Sequence, residues 1–498
     1  MAKQPYILGI DIGTGSTKAV AVGLQGTVIH VSQHYYPVKS PKPGYSEQDP
    51  ELILEAFLNC ITDTVKEIGE PEAVSFSSAM HSVIPVDENG NALADMMTWA
   101  DARSEEIAGR LLRSGKGAEI YRISGTPIHA MTPLCKLIWL RENEPALFER
   151  TIKFISIKEY IWHHLFGDYE VDHAICSSTG LFDIKKLAWN NEACELAGIT
   201  IGNLSSPVST TYKRRDIKLS VASLLGLNNS IPFIIGASDG CCANLGSYVS
   251  GPGVASLTIG TSGAVRITSP QPVINAEAMI FNYLLDEHTF VCGGAMNNGG
   301  IVLDWLLKNF MNKKRPGHDD YTELFELIAT IPATSDGLLF LPYLYGERAP
   351  IWDTKTCGTF FNIKPSHTRA HFLRAGLEGI CLALNDVLNT LENASGPIEK
   401  LHISGGFTTS AVWVQMLADI TGKELVILQE GDASAIGAVL LALRALDIQA
   451  FPEPEYDRQK SIFPNMDNHN IYKGSFALFK KLYHQLKGIM HEVHDTNR

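Results

Sequence analysis

The chain has 498 residues, 45% hydrophobic and 19% charged, more than one hydrophobic core usually serves, which points to two domains of roughly 200–250 residues that fold throughout. Lys and Arg number 41 against 54 Asp and Glu, a formal net charge of −13 and the wrong sign for a duplex-binding protein, so nucleic acid is excluded as a partner class. The nine cysteines are scattered without a C-x-x-C, no signal-peptide h-region opens the chain, and apolar runs such as 433–443 fall short of the about 20 residues a bilayer needs; a cytoplasmic protein with reduced thiols and no membrane partner is expected.

In chain order, YILGIDIG is a β-branched run, GTGST a turn cluster, and KAVAVGLQGTVIHV a return to strand character, which predicts a hairpin. Neither G-x-G-x-x-G nor G-x-x-x-x-G-K-[ST] is matched, which disfavours dinucleotide folds and P-loops. Asp49 as N-cap, Pro50 at the first helical position and apolar residues at helical spacing predict a helix over 49–68, followed by the strand AVSFSS. Further helices are expected over 102–113, 133–141 and 158–165, an α/β alternation. VASLTIGTSGAVRITS, from residue 254, repeats the pattern of ILGIDIGTGSTKAVAV, from residue 7. That echo predicts two related domains, 1–249 and 250–498, joined near 247–253, each opening on a hairpin whose turn suits phosphate, with chemistry in a cleft between them.

Phosphoryl transfer needs groups that hold phosphate, a divalent metal, and a carboxylate that takes the proton of the attacking hydroxyl. Asp11 precedes the run Gly13, Thr14, Gly15, Ser16, Thr17, Lys18, whose amides, hydroxyls and ammonium suit phosphate, with Asp11 suited to hydrated Mg²⁺; the plainer reading is a turn whose glycines only satisfy geometry. Asp239, where an apolar strand ends in GASDG, is the candidate general base, although Ser238 or Asp239 can equally be a helix cap. Trp99, Asp101 and Arg103 alternate in TWADARS and, on an extended segment, would line a polyol pocket together; the competing role for Asp101 is to cap the helix from Ala102. His81 lies just past a strand end and suits a hydroxyl or carboxylate partner. Lys136, inside an amphipathic helix, either snorkels to solvent or reaches an anion, and the local sequence favours snorkelling.

Taken in order, DIGTGSTK (11–18), MHS (80–82), WADAR (99–103), GASDG (236–240), IGTSG (259–263), GLLFLPYLYGERAP (337–350) and SGGFTTSAVWVQMLAD (404–419) resemble the FGGY family of carbohydrate kinases. The resemblance implies an α/β fold of two actin-like (ribonuclease-H-like) domains flanking a catalytic cleft, with ATP and Mg²⁺ as cofactors. It implies Asp239 as catalytic base, Asp11 as the metal-associated carboxylate, and Thr14, Thr261 and Gly263 as phosphate-cradling. Gly405, Gly406 and Ser410 fall on the adenosine motif, and His81, Trp99, Asp101 and Arg103 on substrate segments. Ser82 and Phe407 depart from glycines frequent at those motif positions. FSSAMHSV, TWADARS, GTPIHAMTPL, IKEYI and MNNGGIVL look most like the family's bacterial gluconate kinases, which implies a sugar-acid substrate, D-gluconate. Its carboxylate would then need Arg103, His81, His129 or Lys136. Xylulose, ribulose or glycerol as acceptor, a regulatory ATPase on the same scaffold, and a homodimer stay open.

Overall fold

The computed structural model describes residues 4–249, 251–314, 316–428, 432–449 and 461–496. Its contacts divide the chain into two units, residues 1–248 with 268–292 and 431–454, and residues 249–267 with 293–430 and 455–498. Among the described residues no helix is long and apolar enough to cross a membrane. All nine cysteines are free, eight of them buried.

The first unit is built on a six-stranded sheet. Its centre is the expected hairpin: Tyr6–Ile12 pairs antiparallel with Ser16–Gly23, and Gly13 closes the turn by donating to the Ser16 carbonyl at 3.0 Å. Val28–Tyr35 extends the sheet on one side; on the other Ala73–Ser78 and Phe233–Ser238 run parallel, and Lys213–Arg214 closes the edge antiparallel. Asp49 caps the Pro50–Ile68 helix through the Glu51 amide at 3.0 Å, as its sequence predicts. Phe57 on that helix meets Phe76 on the sheet edge-to-face at 5.0 Å, and both rings are fully buried, which gives this face of the sheet its apolar seal.

The Ala433–Ala445 helix packs against the Asp239–Gly246 helix and behind the first strands. Small residues set the distance, because a Cβ on Gly437 would lie 2.0 Å from the Cys242 carbonyl oxygen and one on Gly246 would lie 2.0 Å from that of Ala433. Only glycine permits that approach, and the Ser434 hydroxyl then reaches the Asp239 carbonyl at 3.5 Å.

The sequence echo is a topological repeat. In the second unit Val254–Ile259 pairs antiparallel with Gly263–Ser269, and Gly260 donates to the Ser262 carbonyl at 2.9 Å. The first strand of this hairpin also runs parallel to Lys400–Ser404, which runs parallel to Glu424–Ile427, with Ser461–Ile462 antiparallel at the edge. That order matches strand for strand the path from the first hairpin to Lys213–Arg214 in the first unit.

Candidate active site

Antiparallel register makes Asp11 and Lys18 direct partners across the first hairpin, so both side chains leave the same face. Asp11 accepts a hydrogen bond from the Ser77 hydroxyl at 2.7 Å, and the Lys18 ammonium lies 3.2 Å from Asp432. Burial and the neighbouring Asp432 and Asp239 carboxylates push the Asp11 carboxyl up to about 7, against Ser77 and Lys18, which pull it down. A cation would relieve the repulsion that raises it. Among the described residues no group of three or more His, Cys, Asp or Glu side chains forms a metal cage; a hard ion held through one or two carboxylates, with phosphate and water completing its shell, needs none. The donor set therefore fits Mg²⁺.

Alternation along the strand divides the hydroxyls expected around phosphate. The second strand already begins at Ser16, so the turn is shorter than its sequence suggests. Thr17 points away from Lys18, is fully buried and meets the Tyr36 hydroxyl at 3.3 Å. Ser16 accepts from the Gln33 amide at 2.8 Å, and Thr14, at the tip, accepts from the Trp99 indole N–H at 2.9 Å. That last bond joins the first hairpin turn to TWADARS.

Asp239 is the first residue of its helix, and Ser238 is the cap, its hydroxyl accepting from the Cys241 amide at 3.3 Å. The Asp239 carboxylate accepts from the Gly240 N–H at 2.7 Å, and the helix N-terminus favours its ionised form. The strand end beneath it is pinned by a buried pair: Lys158 lies 2.7 Å from Asp172 and donates to the Ala237 carbonyl at 2.9 Å.

TWADARS is not extended. Thr98 accepts from the Asp101 N–H at 3.2 Å to close a turn, and the following helix begins at Glu105, three residues later than expected. Asp101 does not cap that helix, because its buried carboxylate accepts from Arg103 Nε at 2.8 Å, Arg103 Nη2 at 2.6 Å and the Ser46 N–H at 2.8 Å. Arg103 also bonds Glu47 at 2.5 Å and lies over the Tyr45 ring. The pair thus forms a rigid wall, with Trp99 turned toward Thr14.

His81 holds a left-handed backbone, φ 65°, in a buried position, a conformation that persists only where its surroundings enforce it. Nδ1 lies 2.9 Å from the Ser178 carbonyl, an acceptor only, so the neutral ring carries its proton there and Nε2 faces the Tyr283 hydroxyl at 3.2 Å. Lys136 does not snorkel: it is fully buried and donates to the carbonyls of His81 and Thr98, each at 2.6 Å. Burial lowers its ammonium to about 7, with nearby Arg103 acting in the same direction and Asp101 opposing. Helical spacing could not show that two backbone carbonyls would replace solvent. His129 is half-buried, its ring accepting from the Met131 N–H at 3.2 Å.

In the second unit a cavity of about 470 Å³ is lined by Gly260 and Thr261 of the hairpin turn, Gly300, Asp304, Tyr321 and, across from the turn, Gly406, Phe407 and Trp413. Its size and its mixture of aromatic walls with polar side chains such as Asp304, His318 and Thr322 suit a nucleoside. Gly405 turns the chain here with φ 113°, and a Cβ on it would lie 2.1 Å from the Ile259 carbonyl oxygen. Phe407 packs against Trp413 with ring centroids 5.6 Å apart, so the departure from a third glycine supplies an aromatic wall. Ser410 is buried and caps the Ala411–Thr421 helix through the Trp413 N–H at 3.2 Å; Gly263, the register partner of Ile259, is buried behind the turn.

Asp432 is not legible as a site residue in the sequence. Its only signal is the ASAIGAVLLAL helix it caps, through the Ala435 N–H at 3.3 Å, which gives no hint of Lys18 more than 400 positions earlier in the chain.

Comparison with known proteins gives one answer at two scales. The N-terminal domain of the FGGY family of carbohydrate kinases matches residues 6–246, and its C-terminal domain matches residues 255–446. The chain is 41% identical over 448 residues, 88% of this chain and 87% of the relative, to a gluconokinase of Bacillus subtilis. It is 29% identical over 500 residues to a xylulose kinase of Staphylococcus epidermidis, 98% of each chain being covered. Among crystal structures, a gluconate kinase from Lactobacillus acidophilus superposes with a TM-score of 0.92 at 32% identity, covering 97% of this chain and 98% of that one.

Proposed function

Because the chain belongs to the FGGY family of carbohydrate kinases, which transfer phosphate from ATP to an alcohol, we propose that its acceptor is a sugar acid, D-gluconate, phosphorylated on the primary hydroxyl to 6-phosphogluconate. The observation that carries the choice of acceptor is the 41% identity to a gluconokinase, against 29% to a xylulose kinase.

In this reading Asp239 accepts the proton of the primary hydroxyl as its oxygen attacks the γ-phosphorus and the bond to the bridging oxygen of ADP breaks. In the first unit Thr14 and Lys18 of the hairpin turn suit phosphate oxygens; in the second, Thr261 and the backbone of its own turn suit phosphate, and the cavity at Gly406 and Phe407 takes the adenosine. Binding of phosphate draws the Lys18 ammonium away from Asp432. Asp11, with Asp432 beside it, would hold Mg²⁺, which when bound neutralises charge on the phosphates. Trp99, His81 and the Asp101–Arg103 wall shape the acceptor site, and Arg103 keeps its guanidinium toward Asp101 and Glu47.

The test is ADP release with ATP and Mg²⁺ across gluconate, xylulose, ribulose and glycerol. The proposal expects gluconate to give the highest kcat/KM. A higher value for xylulose, or ADP release indifferent to any acceptor, would replace it with a ketose kinase or a regulatory ATPase respectively.

A further inference from the structure

GLLFLPYLYGERAP is the sequence landmark to which no role above is attached. Within it, Glu347 is 1% exposed, yet its carboxylate is fully engaged. Oε1 accepts from the backbone N–H of Asn297 at 2.6 Å and of Arg348 at 2.8 Å, and Oε2 accepts from the side-chain amide of Asn298 at 2.9 Å. Asn298 is itself buried, its amide donating also to the Gly346 carbonyl at 2.7 Å and its side-chain oxygen accepting from the Tyr345 N–H at 3.2 Å. Burial pushes the Glu347 carboxyl up while these donors pull it down. A buried carboxylate is retained only where such donors compensate it.

The segment held in this way leads directly to the second glycine turn. Gly300 donates its N–H to the Gly260 carbonyl at 2.7 Å, and Ile301 donates to the Thr261 carbonyl at 3.1 Å. Those two carbonyls belong to the turn lining the nucleotide-sized cavity, so a continuous path of short bonds runs from Glu347 through 297–301 to Gly260 and Thr261.

We propose that Glu347 is the positioning residue for the ATP phosphates: by fixing residues 297–298 it fixes Gly300 and Ile301, and through them the aim of the 260–261 amides. This rests on the reading of the second turn as a phosphate site. Glutamine cannot substitute, because its amide would bring an N–H against a donor that the carboxylate now accepts. Loss of this order blunts the turn while the aromatic walls that would take the base, Phe407 and Trp413, stay in place.

The test is calorimetric binding of ATP and, separately, adenosine to the native protein and to Glu347→Gln, with KM for ATP and for whichever acceptor the native enzyme phosphorylates. Glu347→Gln is expected to weaken ATP binding by on the order of tenfold, with adenosine affinity and acceptor KM changed less than about twofold. If that variant does not fold, Glu347→Asp, which keeps the charge but shortens its reach, is expected to show the same pattern more weakly. A native preference for ATP over adenosine that survives in both variants, or an equal loss of both ligands, overturns the proposal alone. A native protein that binds ATP no more tightly than adenosine overturns the phosphate reading beneath it as well.

Discussion

Asp11 and Lys18 stand opposite each other across the first hairpin, and the ammonium of Lys18 lies 3.2 Å from Asp432, a residue at the far end of the chain. A cation and three carboxylates therefore share one neighbourhood, Asp432 and Asp239 both standing close enough to Asp11 to act on its charge. A divalent metal would bring the positive charge this cluster lacks, and phosphate would compete with Asp432 for the Lys18 ammonium.

If Lys18 leaves Asp432 for phosphate, Lys18→Met should raise KM for ATP by on the order of tenfold, the worth of one charge-assisted hydrogen bond. Part of the salt dependence of ATP binding should vanish with it. Steady-state kinetics at two ionic strengths check both; unchanged KM and unchanged salt slope would place Lys18 outside the phosphate site.

Asp239→Asn should lower kcat by about 10²–10⁴-fold, the usual contribution of a general base, while ATP affinity stays nearly native. The cap of the helix is the Ser238 hydroxyl, so the substitution keeps the local fold, and calorimetry alongside turnover separates the two effects. Retained turnover would contradict the assignment.

Lys136 gives a pH signature with a definite sign. Its ammonium is lowered to about 7 by burial, whereas in the unfolded chain it titrates near 10.4. Between those values the unfolded state binds the extra proton, so the stability contributed at this site rises with pH from about 7 to about 10.4. Lys136→Met should remove that slope and, by leaving the carbonyls of His81 and Thr98 without their donor, lower Tm across the range, at about 1–3 kcal/mol per orphaned group. Thermal unfolding of both proteins from pH 6.5 to 10.5 checks it; parallel curves would mean that Lys136 stays charged.

Gly405→Ala should destabilise the protein and weaken adenosine binding without altering the acceptor KM, because a Cβ there would lie 2.1 Å from the Ile259 carbonyl oxygen and φ 113° is strained for any L side chain, at about 1–3 kcal/mol. Binding of adenosine and of acceptor, measured separately, checks the split.

What could be read from the sequence was local or repeated. The two hairpins, the Asp49 cap and the strand before Asp239 follow from turn chemistry and alternation, and the echo of ILGIDIGTG in VASLTIGTSG became a repeat of sheet order. What could not be read was set by distant partners. Thr17 shares the GTGSTK run with the hydroxyls suited to phosphate, yet alternation turns it away from Lys18 and against Tyr36. The side-by-side alignment of Trp99, Asp101 and Arg103 failed because Asp101 and Arg103 close on each other and on Glu47, so the segment turns. Lys136 reads locally as a snorkelling residue because its acceptors are carbonyls 38 and 55 positions away. Asp432 and Glu347 act through residues far off in sequence, and no spacing rule reaches them.

The most direct measurement is ¹³C and ³¹P NMR of the product formed from D-gluconate, ATP and Mg²⁺ by the purified enzyme. A single phosphate ester on the primary carbon, with one ADP formed per ester, is the predicted result. Inorganic phosphate in place of an ester, or an ester on a secondary hydroxyl, would contradict a sugar-acid kinase in which Asp239 deprotonates the terminal alcohol.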